Sequence, residues 1–261
     1  MEKFIIIGER IHCISPIIRK ALAERNPAPI LQRAKEQINA GADYIDVNIG
    51  PAERDGEELM SWAVQLIQRE FDNIPLALDT VNKKAIEAGI KVYNRDKGKP
   101  IINSADAGDR IEMIDLAAAH DAMVIALCSK SGIPRDNDER MTHCTELLER
   151  AMSLGLEPTD VLFDPLFLVI KGMQEKQVEV LAAIGMMSEM GLRTTGGLSN
   201  ISNGAPKEIR PILDATLLAM AMQCGLSSAI VNPCDRRLVE TIKSCDIIKG
   251  NILYADSFLE L

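Results

Sequence analysis

Residues 27–51 read PAPILQRAKEQINAGADYIDVNIGP and hold one complete structural unit. Over Pro27–Ala40, Ile30, Leu31, Ala34 and Ile38 recur at helical spacing and fall on one face. Gly41 ends that helix, because glycine takes the left-handed conformation of a C-cap without steric cost. A short apolar run, Asp43–Val47, follows as a strand, and its end carries Asp46 and Asn48. The unit is therefore a helix that delivers the chain to a strand with a polar end.

The same alternation repeats along the chain. Strand candidates are Phe4–Gly8, Asp43–Val47, Leu76–Asp79, Pro100–Asn103, Ala122–Leu127, Asp160–Asp164, Thr194–Leu198 and Ser228–Val231. Amphipathic segments separate them. The last is Asp235–Lys249, with Leu238, Ile242, Cys245 and Ile248 at helical spacing. Strands alternating with helices imply parallel pairing through right-handed crossovers. The 261 residues match the roughly 250 of a closed barrel. The expected fold is α/β, a single (β/α)8 TIM barrel. No linker or composition break divides the chain, so residues 1–261 read as one domain.

Composition removes several function classes. Aromatics are 3% of the chain and the net charge is -9, which suits neither base stacking nor a phosphate backbone. No nucleic-acid partner is expected. No run of 18 apolar residues exists, and Met1-Glu2-Lys3-Phe4 has no signal-peptide pattern, so a cytoplasmic protein without a membrane span is expected. The six cysteines form no CxxC pair and read as free thiols. A zinc site gathered from His12, Cys13, Cys128 and Cys234 lacks ligand spacing, and no metal is expected. Met186, Met187, Met190, Met220 and Met222 read as core.

Polar residues recur at the strand ends. They are Glu9, Asp46 and Asn48, Asp79, Asn103, Asp164, then Ser199 and Asn200. In a parallel barrel all C-terminal strand ends face one mouth. Helix capping explains one or two Asp or Asn residues there, but poorly explains a ring in constant register. Carboxylates and amides with no histidine and little positive charge suit a neutral heterocycle rich in N–H donors.

These strand ends resemble the pterin-binding barrel family. The matching segments are Gly8-Glu9-Arg10-Ile11, Asp46-Val47-Asn48-Ile49-Gly50-Pro51, Leu78-Asp79-Thr80, Ile102-Asn103-Ser104, Phe163-Asp164-Pro165-Leu166 and Gly197-Leu198-Ser199-Asn200. Within that family the chain is most similar to methyltetrahydrofolate:corrinoid protein methyltransferases. The segments Leu217–Met222 and Tyr254–Phe258 look like that group too. The resemblance implies tetrahydrofolate or methyltetrahydrofolate as substrate and a corrinoid such as cobalamin on a separate partner protein. It also implies a homodimer. Asp79, Asn103 and Asp164 would hold the pyrimidine edge, and Asn200 would stand near N5, making Asn200, Asp164 and Asp79 the catalytic set. Glu9, Asp46, Asn48 and Ser199 would line the pocket, and Arg210 would shape the loop after the seventh strand. The chain has His12 where the family often has asparagine, and His12 reads as an ordinary loop residue.

Dihydropteroate synthase is the runner-up in the same family. It typically carries a basic segment after the seventh strand, where this chain has Leu198-Ser199-Asn200, and Arg-x-His near the eighth, where it has Val231-Asn232-Pro233. A non-catalytic folate-binding barrel is a further alternative. An aldolase would need a Schiff-base lysine at a strand end, and Lys130 is its one candidate.

Overall fold

A computed structural model describes residues 3–259. Residues 1, 2, 260 and 261 of the expected domain, and the side chains of Phe258 and Leu259, lie outside the described residues. In chain order the elements are β1 (Ile5–His12), α1 (Pro16–Ala23), α2 (Pro27–Asn39), β2 (Tyr44–Asn48), α3 (Gly56–Glu70), β3 (Leu76–Asp79), α4 (Lys83–Lys91), β4 (Ile101–Asp106), α5 (Glu112–Ala119), β5 (Met123–Leu127), α6 (Asn137–Ser153), β6 (Val161–Asp164), α7 (Gln177–Glu189), β7 (Arg193–Thr194), α8 (Arg210–Cys224), β8 (Ser228–Val231) and α9 (Arg236–Ile248).

All strand pairs are parallel, and each strand lies beside its sequence neighbour, with β1 also beside β8. The gap between β7 and β8 is bridged by Gly197 opposite Ile230, with Ile230 N donating to Gly196 O at 2.9 Å. The result is a nearly closed barrel ringed by helices. Inside it Ile7, Ala77, Ile101, Met123, Ile125 and Leu162 form their own cluster. Larger clusters fill the layer between strands and helices. Each fully buried Ile or Leu there contributes about 1.5–3 kcal/mol relative to an exposed one.

Helix starts follow local chemistry. Asn26 accepts from Ala28 N at 3.2 Å at the head of α2, and Pro27 supplies a preset φ at the first position. Asn82, Asp136 and Asp235 cap α4, α6 and α9 in the same way. None of the strand-end residues caps a helix, so capping does not account for the ring.

Several expectations are corrected. β1 runs on from Gly8 to His12, and β4 runs on from Asn103 to Asp106, each across a register shift. His12 thus ends a strand, opposite Asn48, and is not in a loop. β7 is only Arg193–Thr194: the chain beyond it keeps an isolated bridge from Gly197 to Ile230, and Leu198–Asn200 then forms a 3-10 turn. α1 is an additional helix. Met187 and Met222 are core, but Met186 on α7, Met190 at its C-cap and Met220 on α8 are exposed. Ile248 is 83% exposed while Asp246 is buried, so the inner face of α9 drifts at its end.

Candidate active site

Side chains on one face of a strand recur every second residue. The inward row of Ile7, Ala77, Ile101 and Leu162 therefore continues, two residues on, as Glu9, Asp79, Asn103 and Asp164. Tyr44 packs on the same interior cluster and is followed by Asp46 and Asn48. One alternation thus builds an apolar plug below and a polar layer at the C-terminal mouth.

The structure brings most of the expected residues together. Asn48, Asp79 and Asn103 are register partners on consecutive strands. Asn48 Nδ2 donates to Asp79 Oδ2. Asn103 Nδ2 donates to Asp46 Oδ1 at 3.1 Å, reaching past β3. Asn48 Oδ1 accepts from Gly50 N at 3.0 Å and Cys13 Sγ at 3.4 Å. Gly50 is required there: its φ is +73°, and a Cβ would stand 2.8 Å from Cys13 Sγ.

Across the mouth, Asp164 Oδ1 accepts from Leu166 N at 2.7 Å. Leu166 holds φ at +65°, a strained backbone for a branched residue, and that turn aims its N–H at the carboxylate. Ser199 Oγ donates to Glu9 Oε2 at 2.9 Å. Asn200 ends the 3-10 turn with an exposed side chain. Its amide folds over Gly197, where a Cβ would lie 3.1 Å from Asn200 Nδ2.

Burial dominates the electrostatics. It pushes Asp164 up to about 7, against the Leu166 N–H, which pulls the other way. Burial lifts Glu9 to about 7, opposed by the Ser199 hydroxyl and reinforced by Asp214. Asp79 rises to about 6 through burial, held back by Asn48 and Arg110. Asp46 is raised by burial first and then by the charge of Asp79. Burial lowers His12. The mouth therefore offers carboxyls that are part neutral and part ionised near pH 7, giving both donors and acceptors to a planar ring.

Two residues at this end carry no strand-end signal. Arg110, half-buried after β4, donates from Nε to Ser104 O at 2.8 Å and from Nη2 to Thr80 O at 3.1 Å. Its charge acts on Asp79, so the ring is not without a cation. The clue was Asp106, whose Oδ1 accepts from Gly108 N and Arg110 N, but it lies beyond the expected end of β4. The other is Asp214 of α8, which acts on Glu9.

Arg210 does not join the ring. Its Nε donates to Ala205 O at 2.8 Å and holds the loop entering α8. Lys130 is exposed and faces Glu146 at 3.8 Å. Among the described residues no group of three or more His, Cys, Asp or Glu could hold a metal ion, and all six cysteines are free.

Comparison with known proteins gives consistent findings. The methylcorrinoid:tetrahydrofolate methyltransferase of Eubacterium limosum is 28% identical over 255 residues, spanning 95% of this chain and 92% of that protein. Methionine synthase of Mycobacterium leprae is 27% identical over 87% of this chain, which corresponds to only 20% of that protein's length. The dihydropteroate synthase of Yersinia pestis, with a pterine-sulfa conjugate, superposes at a TM-score of 0.73 with 18% identity over 95% of each chain. That of Coxiella burnetii, with pteroic acid, gives 0.74 and 15% over 97% of this chain and 95% of that one. At those identities the likeness is one of fold alone. The family model for pterin binding enzymes matches residues 15–232. The chain belongs to the pterin-binding enzyme family.

Proposed function

We propose that the chain, acting as one domain over residues 1–261, is a methyltransferase. It moves a methyl group between N5 of tetrahydrofolate and the cobalt of a corrinoid, such as cobalamin, carried by a separate protein. The observation that carries this reading is the register row Asn48–Asp79–Asn103 with Asp164 opposite. That arrangement supplies acceptors and donors of the kind that pair with an aminopyrimidine edge. The names of the Eubacterium and Mycobacterium relatives support it.

In this reading Asp79, Asn103 and Asp164 hold the pyrimidine edge. Glu9, Asp46, Asn48 and Ser199 line the pocket, and Arg210 fixes the loop beside it. Asn200 stands near N5. Without a proton N5 would have to leave as an amide anion, a poor leaving group, so a proton or hydrogen bond at N5 matters most as the N–C bond breaks. Stabilisation that grows toward the transition state raises the rate, whereas uniform binding does not. Asn200 is neutral and donates a hydrogen bond, leaving the proton to a neighbouring carboxyl.

The same pocket accelerates both directions. The relative's name, with methylcorrinoid as donor, supports transfer to tetrahydrofolate. A dihydropteroate synthase reading is weaker, since the segment after β7 is Leu198-Ser199-Asn200, without the basic residues that would hold pyrophosphate. A cytoplasmic homodimer belongs to the proposal. Outward apolar side chains at Val178, Met186, Met190, Ile209, Ile212 and Met220 support pairing through α7 and α8, and light scattering measures it. No helix among the described residues is long and apolar enough to cross a membrane.

The test is anaerobic. The protein is mixed with methyltetrahydrofolate and cob(I)alamin, and with tetrahydrofolate and methylcobalamin, while the corrinoid spectrum is followed. Interconversion dependent on the protein supports the reading. Folate binding with no interconversion, even with corrinoid proteins supplied, points to the non-catalytic alternative.

A further inference from the structure

Arg140 stands near the head of α6 and is fully buried. A buried cation is costly, and an apolar side chain of similar bulk often serves stability as well. Its bonds are few. Nη1 donates to Asn137 Oδ1 within the same helix. Nη2 is buried and has no hydrogen-bond partner among the described residues. Of the guanidinium, only Nε bonds outside α6 among the described residues, donating to Pro165 O at 2.9 Å. Pro165 opens the turn in which Leu166 holds φ at +65° and donates its N–H to Asp164 Oδ1 at 2.7 Å. A branched residue stays in that conformation only where its surroundings hold it. The strand end before the turn is fixed by Cys128 N, which donates to Asp164 O at 2.9 Å. The loop beyond it is fixed by Gln177 Nε2, which donates to Leu168 O at 3.1 Å and Met173 O at 3.0 Å. Ile170 N donates to Ile201 O at 2.9 Å and ties the loop to the Asn200 turn. Pro165 O lies between these anchors, and Arg140 holds it.

We infer that Arg140 is a positioning residue for the folate site: by holding Pro165 O it keeps Leu166 in the left-handed turn that fixes the Asp164 carboxyl. This rests on the folate-binding reading. Oδ1 is thereby committed to the backbone, and Oδ2 is left for the pyrimidine edge. Burial pushes the Asp164 carboxyl up to about 7, and the Leu166 N–H pulls against it. Losing that N–H must therefore raise the midpoint. The other groups around Asp164 are Cys128 from β5, whose thiol burial pushes up, and Arg140 from α6, which acts on that thiol. A purely structural pin would cost stability when removed, but would leave Asp164 titrating where it does.

The test uses Arg140→Met, which keeps bulk and removes the Nε donor. Carbon-13 NMR follows the Asp164 carboxyl in the ligand-free protein, its signal assigned with Asp164→Asn. Hydrogen exchange follows the Leu166 amide, and calorimetry gives the tetrahydrofolate Kd. The midpoint should rise by about half a unit to one unit, and the Leu166 amide should lose protection. Kd should rise about tenfold. Arg140→Lys keeps the charge but replaces the rigid fork with a flexible ammonium, so it should shift the midpoint the same way and less. It also carries the test if Arg140→Met does not fold. The deciding variant adds Leu166→Gly to Arg140→Met. Glycine takes positive φ without strain, so the turn should re-form without its anchor, and midpoint and Kd should return toward the parent values. An unmoved midpoint in Arg140→Met overturns the inference. So does a raised midpoint that Leu166→Gly does not restore, since the effect would then be one of charge alone. A parent protein that binds no tetrahydrofolate sinks the folate reading and the role given to Arg140 within it. The ligand-free midpoint would still move and be rescued, which tells that failure from a failure of the turn.

Discussion

Across the mouth from one another, the β2–β4 sector and the β6–β8 sector use their polar groups differently. In the first, Asn48 bonds Asp79, Asn103 bonds Asp46, and Gly50 N fills the remaining Asn48 acceptor. In the second, Asp164 receives one backbone N–H, and Asn200 stands exposed over Gly197. Cross-bonded groups hold their geometry before any ligand arrives, and such preorganisation favours precise orientation. The open groups keep donors and acceptors free for a ligand. Under the proposed reading, the cross-bonded row together with Asp164 holds the ring, and the open turn at Asn200 serves N5.

Breaking the open side should have the largest effect. Asn200→Ala should lower single-turnover methyl transfer by about 10²–10⁴-fold. Calorimetric folate Kd should change little. A parallel loss of binding would mean that Asn200 is only a ligand contact. Asp164→Asn comes next: losing a charged hydrogen bond should weaken folate binding by about 1.5–3 kcal/mol, roughly 10–150-fold in Kd. The paired side should respond in stability first. Asn103→Ala strands the buried Asp46 carboxyl and should destabilise the ligand-free fold by about 1–3 kcal/mol, read by denaturant unfolding. Asn200→Ala should leave that curve in place.

The pH dependence sharpens the comparison with a smaller effect. Asp164 titrates near 7 in the fold against 3.8 in an ordinary setting, and Asp79 near 6. Between about 4 and 7 the folded chain therefore binds more protons than the unfolded chain. The stability from these groups is full below about 4 and is lost as pH rises through 6 and 7. Thermal unfolding of the ligand-free protein should show that fall, and Asp164→Asn should flatten it. A ligand that needs ionised acceptors should release protons on binding below pH 7, measurable by calorimetry in buffers of different ionisation enthalpy.

Much of this was legible in the sequence because two periodicities carry it. The 3.6-residue pattern marks α2, and the bounds expected for β3 and β8 agree with the structure. The polar ring was legible because each member ends an apolar run, and the barrel turns a repeated end into a shared mouth. Where local pattern and packing part company, the reading fails. β7 looked like Thr194–Leu198, but Gly196 lies too close to Phe167 for a side chain, only an isolated bridge at Gly197 continues the pairing, and Leu198 enters a 3-10 turn. Met186, Met190 and Met220 match helical spacing yet face outward, since α7 and α8 are apolar on more than one side. Arg110 and Asp214 reach the mouth from a loop and from a helix, so no strand-end register announces them.

The most direct test of the central claim is an anaerobic calorimetric titration of the intact protein with tetrahydrofolate. The account predicts saturable binding, one folate per chain, strongly weakened in Asp164→Asn and retained in Lys130→Ala. Absence of binding in the parent protein, or equal binding in Asp164→Asn, would contradict it.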